Sequence, residues 1–520
     1  MSAHAYEQGL KLSAAGRHGE AIAHFERALA ERPDDARVLF ALGNTARALG
    51  LARPAEEFFR RVLALEPGRV EALVNLANLL RASGNLEAAE ALLAPALARN
   101  PEAAELWLTL GSVHREMGDA ARAQTHYREA LARRPDYPAA LANLADLLAD
   151  AGDTRQALVL YDRAIQNDSH NAQARLNRAV LHLLLGNLKD GWRDYAARLK
   201  IPGKAPACDH GLPRWDGGSL KRKRLLVTAE QGIGDQIMFA SLFAELAARA
   251  QEEGGSVVLE CEKRLSALFA RSFPNATVES SRMESKAGKI TAHYDWLKAA
   301  GGANAAIETG SLPRLLRGEL ARFPKPHSWL VPDTAEAALW RTTFQVAGQV
   351  AASGPHIGIC WRSGKTGGGR ALQYAPLAAW ADFLRDLPGL IVSVQYDATA
   401  EEIATLESLS GRPIFVPTGI DQKHELDRAC ALVSALDAIV SAPTAVSWLA
   451  AGVGVATYKV LYDTSWTAFG ETYEPFGPSC RCVMPDVAGD WKDAFAKTRG
   501  HLSSIVMAGL DPATARPRRE

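Results

Sequence analysis

Small and bulky residues recur along the first two hundred positions with a period of 34. Gly16, Gly50, Gly84, Gly118, Gly152 and Gly186 form one column without a slip. Gly9, Gly43, Ala77, Gly111, Ala145 and Ala179 form a second, and Ala21, Ala55, Ala89, Ala123, Ala157 and Gly191 a third. Phe25, Phe59, Leu93, Tyr127, Tyr161 and Tyr195 make a bulky fourth column, and Pro33, Pro67, Pro101 and Pro135 close the first four units. Two antiparallel helices per unit account for this pattern. Small residues let the helices approach, a glycine turns the chain between them, and the bulky column fills the space between neighbours. The sixth unit keeps its columns through Tyr195, but Arg198 stands where alanine is expected and no repeat follows. Pro202, Gly203, Pro206, Pro213, Gly217 and Gly218 then predict a linker.

Beyond the linker the apolar period changes. Leu225–Ala229 is a short apolar run, Gln231-Gly-Ile-Gly-Asp235 a glycine turn, Gln236–Arg249 a helical pattern and Val257–Glu260 a second strand. Strand, turn, helix, strand is the βαβ unit of a parallel sheet. The basic tetrad Lys221–Arg224 reads as a solvated strand entrance. A helix over 333–350 precedes a second series of strands at His356–Trp361, Leu390–Val394, Ala438–Ser441 and Val453–Tyr458. Residues 438–458 are uncharged, but Pro443, Gly452 and Gly454 interrupt them, which suits a buried strand–turn–helix better than a membrane span. The expected organisation is an α solenoid over 1–200, a linker over 201–220, α/β lobes over 221–345 and 346–508, and a tail over 509–520. Two such lobes would leave a ligand cleft between them, at the carboxyl ends of their strands.

Composition narrows the function. Apolar residues make up 48% and charged residues 23% of the 520, the balance of an ordinary globular chain. Lys plus Arg and Asp plus Glu both number 59, so no chain-wide basic footprint for nucleic acid exists. Six cysteines without paired metal spacing make neither a disulfide framework nor a zinc site, and Cys480 and Cys482 are too close for a CxxC motif. Met1–Gly9 lacks the basic and apolar segments of a signal peptide, so a cytoplasmic location is expected.

The 34-residue columns resemble the tetratricopeptide repeat (TPR), whose concave surface holds peptides or proteins. Asn75, Asn143 and Asn177 share one inner-helix position and look like part of the asparagine ladder in the repeats of protein O-linked N-acetylglucosamine transferase. The resemblance implies a clamp on the backbone of a protein acceptor. The same amides could instead simply solvate the groove.

Nucleotide motifs are mostly excluded. Ile237 stands where a dinucleotide fingerprint after Gly232 and Gly234 needs its third glycine. Five residues separate Gly358 from Gly364 where a Walker A loop has four, and no Asp-x-Asp pair follows residue 200 to bind a metal. The segment Glu230–Ala240, with Ile357–Trp361, Ser393–Gln395 and Asp437–Gly452, resembles heptosyltransferase-like glycosyltransferases of the GT-B class, built from two Rossmann-type lobes. One departure is plain: the family's Asp-Thr-x-x-x-His stands here as Pro443-Thr444-Ala445-Val446-Ser447-Trp448. With the repeats and Tyr473–Phe476, the chain looks most like flagellin-modifying transferases that use nonulosonic acid donors.

The resemblance implies a metal-independent transferase that uses a nucleotide sugar as substrate and needs no cofactor. Asp235 is the candidate base for the acceptor hydroxyl and Glu230 the runner-up, although Asp235 could equally cap its helix. Gly232 and Gly234 shape the turn. Arg362, Ser363, Lys365 and Arg370 lie on a glycine-bearing loop suited to phosphate oxygens, and Thr444 precedes a helix N-terminus that suits an anion. Gln395 ends a strand where it could meet the nucleotide base. Two other functions stay open: a repeat adaptor with a decayed transferase domain, and transfer to lipopolysaccharide.

Overall fold

The computed structural model describes residues 2–286, 289–324, 328–351, 354–364 and 368–507. It divides into two compact units, Met1–Arg175 and Leu176–Glu520. The first unit contains five helical hairpins, from Ser2–Ala14 with His18–Glu31 to Pro138–Asp150 with Thr154–Asn167. Each hairpin turns on a glycine at φ between +74° and +83°, from Gly16 to Gly152, a conformation that costs L side chains with a Cβ. The small column has its own cause: a Cβ on Gly43 would lie 2.7 Å from the Phe59 ring, and one on Gly111 2.6 Å from Tyr127. Bulky and small columns are thus two halves of one helix contact.

The sixth hairpin, Ala172–Leu184 with Leu188–Tyr195 and a 3-10 turn over Ala196–Lys200, lies mostly in the second unit. Leu183, Trp192 and Tyr195 share a hydrophobic core with the sheet residues Leu225, Val227 and Leu259. Trp192 donates its indole N–H to the Arg317 carbonyl at 3.0 Å and meets Trp466, Phe469 and Phe476 edge-on. The compact units therefore divide at 175/176, upstream of the linker expected at 201–220. The reason is the apolar face of the sixth hairpin, which the α/β core covers.

Among the described residues, the second unit has three sheets. The strands of its first half are β1 (Ala207–Cys208), β2 (Arg224–Thr228), β3 (Ser256–Cys261), β4 (Thr277–Ser280), β5 (Met283–Lys286), β6 (Lys289–Ala292) and β7 (Ala305–Glu308). A four-stranded parallel sheet runs in the order β4-β3-β2-β7, with a small sheet β1-β6-β5 beside it. The stretch expected as a linker is ordered. It supplies β1, a hydrogen bond from the Trp215 N–H to the Ala306 carbonyl (2.8 Å), and the buried side chains of Trp215 and Leu220.

The second half adds β8 (His356–Cys360), β9 (Leu390–Ser393), β10 (Ile414–Phe415), β11 (Ala438–Ser441), β12 (Ala456–Val460), β13 (Tyr473–Glu474) and β14 (Gly477–Val483). Their order is β10-β9-β8-β11-β12-β14-β13, parallel except for the β13 edge. Counted from the first strand of each sheet, the orders are 3-2-1-4 and 3-2-1-4-5-7-6, doubly wound patterns whose order reverses beside the first strand. Ligand crevices in such sheets open where the order reverses. Those switch points lie between β2 and β7 and between β8 and β11. The helix Thr334–Ala351, expected to straddle the two lobes, packs on β9 and on the helix Leu426–Ser434. The uncharged stretch 438–458 forms β11, the helix Ala445–Gly452 and the start of β12. No helix of the described residues is long and apolar enough to cross a membrane.

Candidate active site

The glycine turn leaves β2 at its carboxyl end, at the first switch point. Gly232 caps the helix Ile233–Phe239, and Asp235 lies half-buried in its first turn. That helix packs against Ala445–Gly452, which begins after Thr444 at the second switch point. The approach is close: a Cβ on Gly234 would stand 3.6 Å from Ala445 Cα and from the Trp448 ring. The Trp329 indole N–H also reaches the Ile237 carbonyl at 3.0 Å, and the Trp329 backbone N–H reaches the Gly452 carbonyl at 2.9 Å. Asp235, Gly232, Gly234 and Thr444 are thus brought to one junction. Two clefts of 560 and 690 Å³ lie elsewhere, one beside Tyr473 and Arg481, the other beside Val346 and Phe415. Their concavity is not matched by converging polar groups from two switch points.

Several expected ligand groups are engaged inside the protein. Arg362 binds Glu402 through Nε (2.5 Å) and Nη2 (2.8 Å), and Asp397 through Oδ1 (2.9 Å) and the carbonyl (3.1 Å). The hydrogen bond to Glu402 raises the guanidinium pKa further. Burial opposes ionisation of Glu402, yet Arg362 and the Thr399 N–H hold its pKa at about 2. Arg362 therefore spends four of its five N–H groups on fixing the loop. Gln395 is saturated. Its carbonyl accepts the N–H groups of Trp361 and Arg362 (both 3.0 Å), and its amide donates to the Arg362 carbonyl (2.9 Å) and Asp397 (2.7 Å). It ties the ends of β8 and β9 together, and no hydrogen of its amide is left for a nucleotide base.

Ser363 sits beside the Tyr396 phenol at 3.4 Å, and the Gly364 N–H donates to the same phenol. Lys365 lies outside the described residues, as does the Arg370 side chain. Thr444 is buried, its hydroxyl 3.5 Å from Cys360 Sγ and 3.3 Å from Ser441. Burial pushes the Cys360 thiol pKa up to about 11, which keeps it protonated. Trp448 stands where the resemblance has histidine and lies 4.1 Å from the Lys459 ammonium. Lys459 is itself buried against Glu474 at 2.6 Å.

Glu230 is a further correction. It is 8% exposed, and Arg198 binds both of its oxygens, at 2.5 and 3.1 Å. It also accepts the Gly310 N–H at 2.8 Å, so it braces the turn and is not placed as a base. Sequence reasoning missed Glu260 at the end of β3. One of its oxygens accepts the Ala229 N–H (2.9 Å) and the Tyr294 hydroxyl (3.0 Å), and the other is buried without a partner among the described residues. Burial pushes its pKa up to about 7. Among the described residues, no group of histidine, cysteine and carboxylate side chains could hold a metal.

In the first unit, the Asn75 amide donates to Asn44 at 2.9 Å and the Asn143 amide to the Ser112 hydroxyl at 3.3 Å, each linking one repeat to the preceding one. Asn177 belongs to the second unit. The TPR-like middle domain of cilia and flagella-associated protein 70 matches residues 6–122, and two tetratricopeptide-repeat families match 102–170 and 143–206. The chain carries tetratricopeptide repeats. Protein FlbA of Caulobacter vibrioides is 33% identical over 338 residues, 64% of this chain and 56% of that protein. The chain thus spans little more than half of that relative. The aligned stretch is longer than the repeat array, so the likeness extends into the second unit. Among solved structures, a thermophilic TPR protein of Thermus thermophilus is 30% identical, covering 35% of this chain and 100% of that one, with a TM-score of 0.32. PilF of Pseudomonas aeruginosa is 22% identical, covering 38% of this chain and 89% of that one, with a TM-score of 0.33.

Proposed function

We propose that this TPR protein is a glycosyltransferase of GT-B type. It moves a sugar from a nucleotide-activated donor to a protein held by its repeats, with flagellin hydroxyls as acceptor and a nonulosonic acid as donor sugar. The observation that carries this reading is the meeting of two switch points, with Asp235 on one side and the helix that follows Thr444 on the other. A carboxylate suits proton removal from an attacking hydroxyl, and a helix N-terminus suits the departing phosphate. The absence of an Asp-x-Asp pair supports a mechanism without a bridging metal. The donor is a substrate, the residence cytoplasmic, nucleic acid is not a partner and no segment spans a membrane. Co-expression with candidate flagellins, followed by intact-mass analysis, tests the reading. A mass increment equal to one or more sugar residues is expected, and unmodified flagellin together with no hydrolysis of any nucleotide sugar would reject it.

A second reading has its own observation. Gln395 is saturated by internal partners, Arg362 spends four of its five N–H groups on them, and Gly234 closes directly onto Ala445 and Trp448. A repeat adaptor whose transferase domain no longer binds donor would have this arrangement. Calorimetric titration of nucleotides and nucleotide sugars separates the two, since the adaptor binds none of them.

A further inference from the structure

Arg198 breaks a column that is Ala28, Val62, Ala96, Ala130 and Ala164 in the preceding units. Those five residues are at most 2% exposed, and Arg198 is as deeply placed, at 4%. An unpaired guanidinium would be costly there. Its partners are Glu230 (3.1 and 2.5 Å), the Ser311 hydroxyl (2.8 Å) and the Tyr195 carbonyl (3.1 Å). Glu230 in turn accepts the Gly310 N–H at 2.8 Å. One side chain thereby ties the end of the repeat array to the loop after β2 and the loop after β7, the two loops that flank the first switch point.

The next residue of the turn is held from the same place. The Tyr195 hydroxyl meets the Gln231 side-chain amide, donating to Oε1 at 3.3 Å and accepting from Nε2 at 3.1 Å. Burial raises the Tyr195 pKa, so the phenol stays neutral, and Arg198 lies 4.7 Å from its ring. Gly232 and Gly234 have no side chains with which to fix the rest of the turn. A buried ion pair contributes little net stability compared with an apolar pair of similar volume, so its value lies in geometry.

We propose that Arg198 and Tyr195 are positioning residues for the Asp235 carboxylate, which makes the terminal turn of the repeat array part of the transferase site. The proposal rests on the transferase reading above. Its test uses the full chain and three variants: Tyr195→Phe, Arg198→Lys, and the double Arg198→Met/Glu230→Met. Steady-state kinetics and hydrogen exchange over residues 229–240 are measured for each.

The double variant is expected to melt cooperatively and to keep KM for donor and acceptor within about threefold while kcat falls at least about tenfold. Exchange at 230–236 should quicken. Lysine should not rescue Arg198, because an ammonium cannot match the two-pronged contact to Glu230. Wild-type kcat with unchanged exchange in the double variant would overturn the proposal. If the double variant does not fold, Tyr195→Phe, which removes a single oxygen, decides by the same two readouts. Should the unmodified chain transfer no sugar, the transferase reading fails by itself. Exchange then decides alone, with faster exchange confined to 230–236 supporting the tie and unchanged exchange rejecting it.

Discussion

Burial sets the charge state of Glu260, and with it a pH dependence. Its folded pKa of about 7 lies above the ordinary 4.5, so between those values the folded state keeps a proton that the unfolded chain has lost. Its contribution to stability is complete below the unfolded pKa and is lost as pH rises through about 7. Glu260→Gln has no such slope. Above pH about 7 the variant should be more stable than the parent by roughly 3 kcal/mol, the free-energy equivalent of a rise from 4.5 to about 7, and calorimetric melts across that range and beyond it check the sign. Asp235 is the base of the transferase reading proposed above. Asp235→Asn should keep fold and acceptor binding and lower transfer at least about a hundredfold, so near-parental turnover would remove it from the mechanism. Asp235 and the glycines were legible because a turn after an apolar run announces a strand's carboxyl end. The roles of Arg362 and Gln395 were not, because only the fold brings Asp397 and Glu402 to Arg362, 35 and 40 residues away, and the Trp361 and Arg362 N–H groups to Gln395, 34 and 33 residues away. Arg198 did leave a trace, as the single charge in a small-residue column.

At the scale of elements, the repeats could be read almost entirely, since each column records a local contact within 16 residues. Gly43 against Phe59 is the example. Gly43→Ala should destabilise the array by about 1–3 kcal/mol, because its Cβ falls inside the ring contact. Adding Phe59→Leu should restore part of the loss, as Ala77 with Leu93 already does one repeat later. Thermal melts of the single and double variants provide the check. The α/β strands were half legible. Long apolar runs at β2, β3, β8, β9 and β11 stood out, whereas β10 and β13 are two residues each, too short to carry a period. Asn75 and Asn143 each donate an amide hydrogen to the preceding repeat, and under the transferase reading their carbonyl oxygens would take a bound chain. Replacing Asn75, Asn143 and Asn177 together by alanine should weaken acceptor capture in a pull-down and leave donor hydrolysis unchanged.

At the scale of the molecule, the sequence suggests a cut in the Pro/Gly stretch, and the packing moves it upstream. Prolines and glycines at 202–218 shape a segment that covers the sheet edge, a role composition cannot distinguish from a spacer. A fragment of residues 210–520 loses Trp192, Tyr195 and Arg198, and with them the partners of Arg317, Gln231 and Glu230. It exposes the aromatic cluster of Trp466, Phe469 and Phe476 and leaves the Glu230 carboxylate buried without its counter-charge, a loss of about 3–5 kcal/mol for the ion pair alone. A fragment of residues 168–520 keeps all of these contacts. It should therefore melt cooperatively and hydrolyse donor at the rate of the full chain, while the shorter fragment aggregates or melts without a transition. Acceptor modification by the longer fragment should still be slow, because without the first five repeats the acceptor is no longer held at the roughly millimolar local concentration that tethering provides. Calorimetry and donor hydrolysis on both fragments, with acceptor modification on the longer, test each step. A cooperative, active 210–520 fragment would show that the sixth hairpin is dispensable to the site.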